Sequence, residues 1–562
     1  MTPEEGEYIS QVLTARLGKG DVECVCQSQY HSRCAKTLRP TQAWALDEAE
    51  ANEGLLGPIS VGDGKTLLNL LTPMVMPNCK TALLLLPPDL RGQLDKEWGF
   101  YAQHWHLPNL TTGRWAVPGR PWLHIVSFSV LSLATSTELL TQIKPDLIIV
   151  DEAHNLRRRD AVRTKRFLHY MHSHPETRLC AWSGTLTSRS LKDYAHLANL
   201  ALKERSPTPL LWPVVEEWAG AIDPGDFPTP IGQLAQFCQP GEHLHVGWKR
   251  RLHETPGVVS SGDVANCNAS LLFTERKVTA PAEVTQAILK IRLNAQRPDG
   301  EELVSALDVA RCARELASGF YYRWTWPRGE PEEVIRRWLE VRAAWHKELR
   351  EKLKHSRPHM DSPLLLAKAA IRYYQTPSYE GDLPTWASKH WQEWAEVRDT
   401  ASPVTETVWV SDYLVADAAE WCHTEGKHGG SVWYEHAAFG EAVAAKAGVP
   451  FYGPGEEASA GIIREDGSRP VVASIRSHHK GKNLQMFSKQ LVANPPSDGA
   501  TWEQLVGRTH RYGQNADEVR VAVYRHVEEM REALDKARLL AAYIDDTMGG
   551  AKKMLRATFS FL

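Results

Sequence analysis

No apolar run in this 562-residue chain approaches the ~20 residues that span a membrane; the stretch 81–88 is only strand-sized. A membrane-spanning segment is therefore not expected. Cysteine is scarce and scattered, nine in all, which excludes a disulfide framework and suits a reducing compartment. Charge of one sign is missing too: the net charge is −3, so the whole surface is not a polybasic nucleic-acid binder. Any nucleic-acid track has to be a local cluster of Lys and Arg. The start, Met1-Thr2-Pro3-Glu4-Glu5, is acidic and lacks the apolar core of a signal peptide. A cytoplasmic protein is expected, and no internal repeat or low-complexity tract interrupts it.

What is present is ordinary globular composition, 43% hydrophobic and 24% charged, over a length that suggests roughly three to four folding units. Twenty tryptophans are unusual. Most are expected in cores and helix contacts, and some could stack on bases.

The apolar pattern divides the chain. Residues 1–36 form a leader. From 37 to 205, strand-sized apolar runs alternate with helical stretches: Ala82-Leu83-Leu84-Leu85-Leu86, His124-Ile125-Val126-Ser127-Phe128 and Leu147-Ile148-Ile149-Val150. Runs that are apolar throughout fit central parallel strands covered on both faces. Residues 206–405 read as a mainly helical insertion and linker, with helical periodicity at 303–316, 331–353 and 362–374. A second α/β region is expected at 406–526, with strands at Ser431-Val432-Trp433-Tyr434, Pro470-Val471-Val472-Ala473-Ser474 and Val519-Arg520-Val521-Ala522-Val523-Tyr524. A closing helix falls within 527–562.

Three segments carry chemistry. Gly62-Asp63-Gly64-Lys65-Thr66 precedes the apolar helical start Leu67-Leu68-Asn69-Leu70-Leu71. Glycines let backbone N–H groups turn around a phosphate, and the helix N-terminus adds its dipole. Lys65 would reach the β/γ phosphates of ATP, and Thr66 would ligate Mg²⁺. The full G-x-x-x-x-G-K-[ST] pattern wants glycine where this chain has Ile59. The run 147–150 ends in Asp151-Glu152, placing two carboxylates at the ligand-facing end of a parallel strand. Asp151 would hold Mg²⁺ and Glu152 would polarise the attacking water. Near the C-terminus, Gln504-Leu505-Val506-Gly507-Arg508-Thr509-His510-Arg511-Tyr512-Gly513-Gln514 sets two arginines three residues apart. Arg508 and Arg511 would bring positive charge to the γ-phosphate from the opposite lobe.

In this order the segments resemble superfamily 2 helicases of the SNF2 (Swi2/Snf2) type. Leu38-Arg39-Pro40-Thr41-Gln42 resembles the motif whose glutamine, here Gln42, reads adenine. Residues 83–98, with Pro87, Pro88 and Gln93, resemble motif Ia, and Ser127-Phe128-Ser129-Val130-Leu131 the DNA-side motif after it. Asp151-Glu152-Ala153-His154 has the DEAH form of motif II, and Ser183-Gly184-Thr185 resembles motif III. Gly481-Lys482-Asn483-Leu484-Gln485 resembles motif V, and 504–514, with Gln504 on the nucleotide side, motif VI. The small SNF2-like helicases of bacteriophages are the most similar, through Gly319-Phe320-Tyr321-Tyr322-Arg323-Trp324 and 507–511. The resemblance implies an α/β fold of two RecA-like lobes with parallel sheets, a largely helical insertion between them, and ATP in the cleft. It implies movement on DNA, duplex rather than single-stranded, in a phage or bacterial setting of replication, recombination or repair, alongside proteins of those processes. Ile59 and His478-His479-Lys480 before Gly481 depart from the family pattern. Nothing after motif VI reads as a chromatin module.

Other readings stay open. A single-strand or RNA helicase shares the phosphate loop and DEAH box but wants a different motif VI. A non-catalytic ATP-gated adaptor would need no intact Lys65, Asp151, Glu152 and Arg511 set. Cys24, Cys26, His31 and Cys34 could hold a structural Zn²⁺ in a small knuckle, or be reduced and unligated. Arg157-Arg158-Arg159 with Arg163, Lys165 and Arg166 is either a solvated helix face or a phosphate track.

Overall fold

The computed structural model describes residues 3–561 except 21–35, 61, 114–115, 226–228, 262–266, 268, 302, 304–305, 356–359, 377–378, 380, 512 and 550–551. The four residues read as a zinc knuckle, Cys24, Cys26, His31 and Cys34, lie outside the described residues. Among those described, no helix is long and apolar enough to cross a membrane.

The first lobe is built on six strands: β1 (Leu55–Gly57), β2 (Thr81–Leu86), β3 (Asn109–Leu110), β4 (Trp122–Ser127), β5 (Leu147–Asp151) and β6 (Arg178–Trp182). They lie in the order β1-β6-β5-β2-β4-β3, every pair parallel. The continuous apolar runs follow from burial on both faces. Leu83, Leu85, Ile148 and Val150 pack into one core, while Ala82, Leu84, Leu86, Leu147 and Ile149 pack into the core on the opposite face. Alternate residues serve opposite faces because the strand period is two.

The second sheet begins earlier than the sequence pattern suggests. β7 (Ser270–Arg276) lies inside the stretch read as a helical insertion, yet it pairs in parallel with a strand near the C-terminus. Its sequence, SLLFTER, mixes polar and apolar residues, so it lacks the apolar continuity that marks the other central strands. Next come β8 (Phe320–Thr325) and β9 (Val404–Trp409), which form a separate antiparallel ribbon. The rest of the second sheet is β10 (Gly430–Tyr434), β11 (Phe451–Tyr452), β12 (Val471–Ser474), β13 (Lys489–Val492), β14 (Glu518–Tyr524) and β15 (Thr558–Phe559). The order is β11-β12-β10-β13-β14-β7-β15, again parallel throughout. The same two-faced alternation recurs: Val432 and Tyr434 enter one core and Trp433 the other. The molecule is thus α/β with two parallel-sheet lobes, the fold class expected from the sequence.

Between β8 and β9 stand the helices Glu332–Lys354, Pro363–Gln375 and Trp391–Val397. Many of the tryptophans are used here. Trp345, Trp386 and Trp391 share one small core, and Trp338, Trp326 and Trp394 share another. The closing helix, Glu528–Met548, spans both lobes: Leu534, Ala537 and Ala541 pack under the second sheet, while Tyr543, Ile544 and Met548 enter the core of the first. Its end is fixed by Tyr543 OH donating to Asp223 (2.9 Å) and His253 Nε2 donating to the Met548 carbonyl (2.7 Å).

Candidate nucleotide site between the lobes

The loop after β1 leads into the helix Lys65–Val75. Gly62 and Gly64 both have positive φ, 101° and 75°. At Gly64 the positive φ strains any side chain, and a Cβ there, 2.3 Å from Gln42 Nε2, would also displace the Gln42 amide. Ile59, standing where the full phosphate-loop pattern wants glycine, turns its side chain into the core; its carbonyl, with that of Ser60, accepts from Lys65 Nζ at 3.2 and 3.1 Å. Gln42, expected to read adenine, has both amide ends engaged within the protein. Its Oε1 accepts from Arg39 N (2.9 Å) and its Nε2 donates to the Gly64 carbonyl (3.0 Å). Arg39 Nη1 donates to the Gly62 carbonyl at 2.6 Å. Asp63, in the same loop, accepts a hydrogen bond from Ser261 through its carboxylate, and the Ser261 Oγ receives Ser60 N at 2.8 Å. The loop is thus shaped from two sides by residues that the loop motif does not include. Thr66 sits in the first turn of the helix, next to Lys65.

Asp151 ends β5 and is buried. Its carboxylate accepts from Asn69 Nδ2 (2.8 Å) and from Glu152 N (2.9 Å), and Asn69 is itself held by Trp182 Nε1 at 3.0 Å. Burial first, then the adjacent Glu152 charge, push the Asp151 carboxyl up, against the pull of Lys65. Burial also works to raise Glu152, but the Lys65 ammonium, His154 and Arg508 outweigh it and hold that carboxyl low. Two buried carboxylates side by side, with a lysine as their common attraction, make a site that a divalent cation would stabilise.

Glu152 itself is held in the left-handed region, φ 54°, an uncommon conformation for a non-glycine residue. Its Oε2 accepts from Ser183 Oγ at 3.0 Å, and Ser183 Oγ in turn bonds His154 Nδ1 at 2.9 Å and accepts from Thr185 N at 3.1 Å. Across the cleft, Lys480 Nζ donates to His154 Nε2 at 2.9 Å. An ammonium can only donate, so Nε2 is the acceptor and the imidazole proton lies on Nδ1. His154 is buried, and burial lowers its affinity for a second proton. A directed chain therefore runs from Lys480 through His154 and Ser183 to Glu152.

The second lobe supplies further contacts. Gln504 Nε2 donates to Thr185 Oγ1 at 3.0 Å. Arg508 is buried, its Nε donating to the Gln504 carbonyl (3.0 Å) and Nη1 to the Lys482 carbonyl (3.3 Å). Burial, with Arg511 alongside, brings its guanidinium down to about 10, while Glu152 draws it the other way. Arg511 takes a different direction: it bonds Asn483 Oδ1, and the charges it senses are Glu97 and Arg39. Lys552, beyond the closing helix, donates to the Gly184 carbonyl at 3.2 Å. The structure thus gathers Lys65, Thr66, Asp151, Glu152, Gln504 and Arg508 at one cleft, and sets Arg511 towards Arg39. Asn69, Ser261, Lys480 and Lys552 join them without a motif to mark them. For Asn69 the available signal is its spacing, one helical turn after Lys65 and so on the same face.

Of the departing run His478-His479-Lys480, the two histidines are structural. His478 Nε2 faces the carbonyls of Tyr452 (3.1 Å) and Gly453 (2.9 Å), and His479 Nδ1 the carbonyl of Ile475 (2.6 Å). The basic run after the DEAH box is partly structural as well. Arg163 Nε donates to the Asn155 carbonyl (2.8 Å), and Arg166 forms a buried two-point pair with Asp361 (2.8 and 2.9 Å).

No protein-family model and no curated protein matches this chain. Among solved structures it is similar to the Sulfolobus solfataricus SWI2/SNF2 ATPase core in complex with dsDNA. The identity is 11% and the TM-score 0.31, over 94% of this chain and 100% of that one. So loose a likeness carries no weight beside the residues of the cleft itself.

Proposed function

We propose that this protein is a nucleic-acid-dependent ATPase of the SNF2 type that moves on DNA, duplex rather than single-stranded. The observation that carries the proposal is the convergence of two lobes on one carboxylate. Lys65 and the Asp151–Glu152 pair come from the first lobe, Lys480 and Arg508 from the second, and the two second-lobe cations bear on Glu152 or its hydrogen-bonded partner. A single-lobe nucleotide binder has no use for such an arrangement. A motor whose lobes close on each turnover does.

The residues present fit ATP and Mg²⁺. Lys65 and the loop N–H groups would hold the phosphates, with Thr66 and Asp151 ligating the cation. The bound nucleotide would supply the electrophilic γ-phosphoryl group. Glu152, kept ionised, orients a water and takes its proton. Ser183 and His154 fix the carboxylate's direction, and Arg508 offsets charge that develops in the transition state. Gln504 on Thr185 and Lys480 on His154 tie that chemistry to the position of the second lobe. Motif VI, 504–514, is the most family-specific segment and favours duplex DNA over RNA. A role in replication, recombination or repair belongs to the same reading.

The test is steady-state ATP turnover by the full chain, alone and with duplex DNA, single-stranded DNA or RNA. Strong stimulation by duplex is expected. Stimulation chiefly by single strands or RNA would overturn the substrate class while leaving the ATP site standing. Absence of turnover with every nucleic acid would favour the ATP-gated adaptor instead.

A further inference from the structure

Lined by none of the cleft residues, a half-open cavity of about 480 Å³ is enclosed by the first lobe and the helices between β8 and β9. That is within the usual ~300–1,000 Å³ of small-ligand sites. Charged side chains supply six of its ten lining residues. Arg159, Lys165, Arg166 and Lys354 line it against two acids, Asp160 and Asp361. Asp361 is consumed by Arg166 in their buried two-point pair, so three lining cations remain to one lining carboxylate.

The remaining groups are arranged around the space rather than along a surface. The helix Val162–Ser173 places Lys165, His169 and His172 at i, i+4 and i+7, hence on one face. Lys165 is anchored by donating to the Leu353 carbonyl, which fixes the end of the helix Glu332–Lys354 against the first lobe. Opposite, the Arg159 guanidinium lies 3.7 Å from the centre of the Trp212 ring, a flat bed that sets its orientation. Its Nε is buried and has no hydrogen-bond acceptor among the described residues. Lys354 is tied to Glu351 at 3.1 Å, with both side chains more than half exposed, a pair that yields readily to a better anion.

We propose that this cavity is a binding site for phosphate groups, separate from the nucleotide cleft. A guanidinium held flat, two ammonium groups and two imidazoles converge on a volume larger than one carboxylate needs. The phosphate belongs either to a free polyphosphate or to a nucleic-acid strand, and each would clamp the helical segment onto the first lobe. The site stands independently of the proposed ATPase activity.

The full chain carrying Lys65→Ala, so that the phosphate loop does not compete, is titrated with three probes: inorganic pyrophosphate, a short duplex with a 5′-phosphate, and the same duplex with a 5′-hydroxyl. Each titration is repeated with Lys354→Glu and with Arg159→Gln added, melting curves confirming that both variants fold. Lys354 is exposed, so its substitution keeps the test decisive if Arg159→Gln unfolds the chain. The expected result is saturable binding weakened about tenfold by Lys354→Glu. Loss with pyrophosphate alone identifies a free polyphosphate. Loss with the 5′-phosphorylated duplex alone identifies a strand end, and equal loss with both duplexes identifies the backbone. Unchanged affinity for all three probes in the folded variants, or no saturable binding, overturns the proposal.

Discussion

The two sheets are built alike yet bring opposite chemistry to the cleft. In the first lobe, parallel strands end in a glycine loop and two carboxylates, Asp151 and Glu152. In the second, they lead to Lys480, Arg508 and Arg511, all cations. The same architecture also treats its charges differently. The carboxylates are positioned by their own lobe, through Asn69, Trp182 and Ser183. Lys480 finds its partner, His154, across the cleft. Arg508 and Arg511 are placed by their own lobe, through Gln504, Lys482 and Asn483, so among these charges it is Lys480 that ties the two lobes together. On the proposed function, lobe position would switch the site through that contact.

The sharpest way to break the comparison is to remove a second-lobe charge. Arg508→Ala is expected to lower the ATP turnover rate about 10³-fold with nucleotide binding retained, measured by steady-state kinetics beside a binding titration. Arg508→Lys should restore little, because a single nitrogen cannot reproduce the planar fork whose Nε and Nη1 hold the Gln504 and Lys482 carbonyls. A smaller effect is expected one link further from the chemistry. Lys480→Ala frees His154 Nε2, so Glu152 loses its directed support, and kcat should fall about tenfold with KM nearly unchanged. Lys480→Arg keeps a donor and should recover most of the rate. If KM rose and kcat held, Lys480 would be a binding residue rather than a positioning one.

The smallest effect concerns stability. Burial lowers His478 to about 4 and His479 to about 3 in the second lobe. An unfolded histidine takes up its proton near 6.5, so between that pH and about 4 the unfolded chain binds protons that the native chain refuses. Stability is therefore full above about 6.5 and falls as the pH drops, by up to ~1 kcal/mol per pH unit for each group. Melting curves from pH 7 to 5 should show the decline, and His478→Gln should flatten it.

The sheets were legible because buried parallel strands are apolar on both faces, and 82–86 and 147–150 have no other plausible use. β7 was not, because SLLFTER could serve an edge, a loop or a helix, and only its pairing with β14 decides. Within the cleft, residue types that carry charge or glycine announced themselves: Gly64, Lys65, Asp151, Glu152 and Arg508. Their supports did not. Asn69 and Ser261 are ordinary polar residues in sequence, Lys480 stood out only as part of a departure from the family pattern, and their partners lie 82, 198 and 326 positions away. Gln42 and Asp63 show the converse, as motif positions that bond within the protein.

The most direct test of a two-lobed ATP site is a single comparison, Glu152→Gln against the unsubstituted chain, in ATP binding and in duplex-stimulated turnover. The amide keeps the shape and removes the proton acceptor, so ATP should bind as before while turnover is abolished. Retained turnover in Glu152→Gln would contradict the assignment of Glu152, and with it the account of why two lobes converge on that carboxylate.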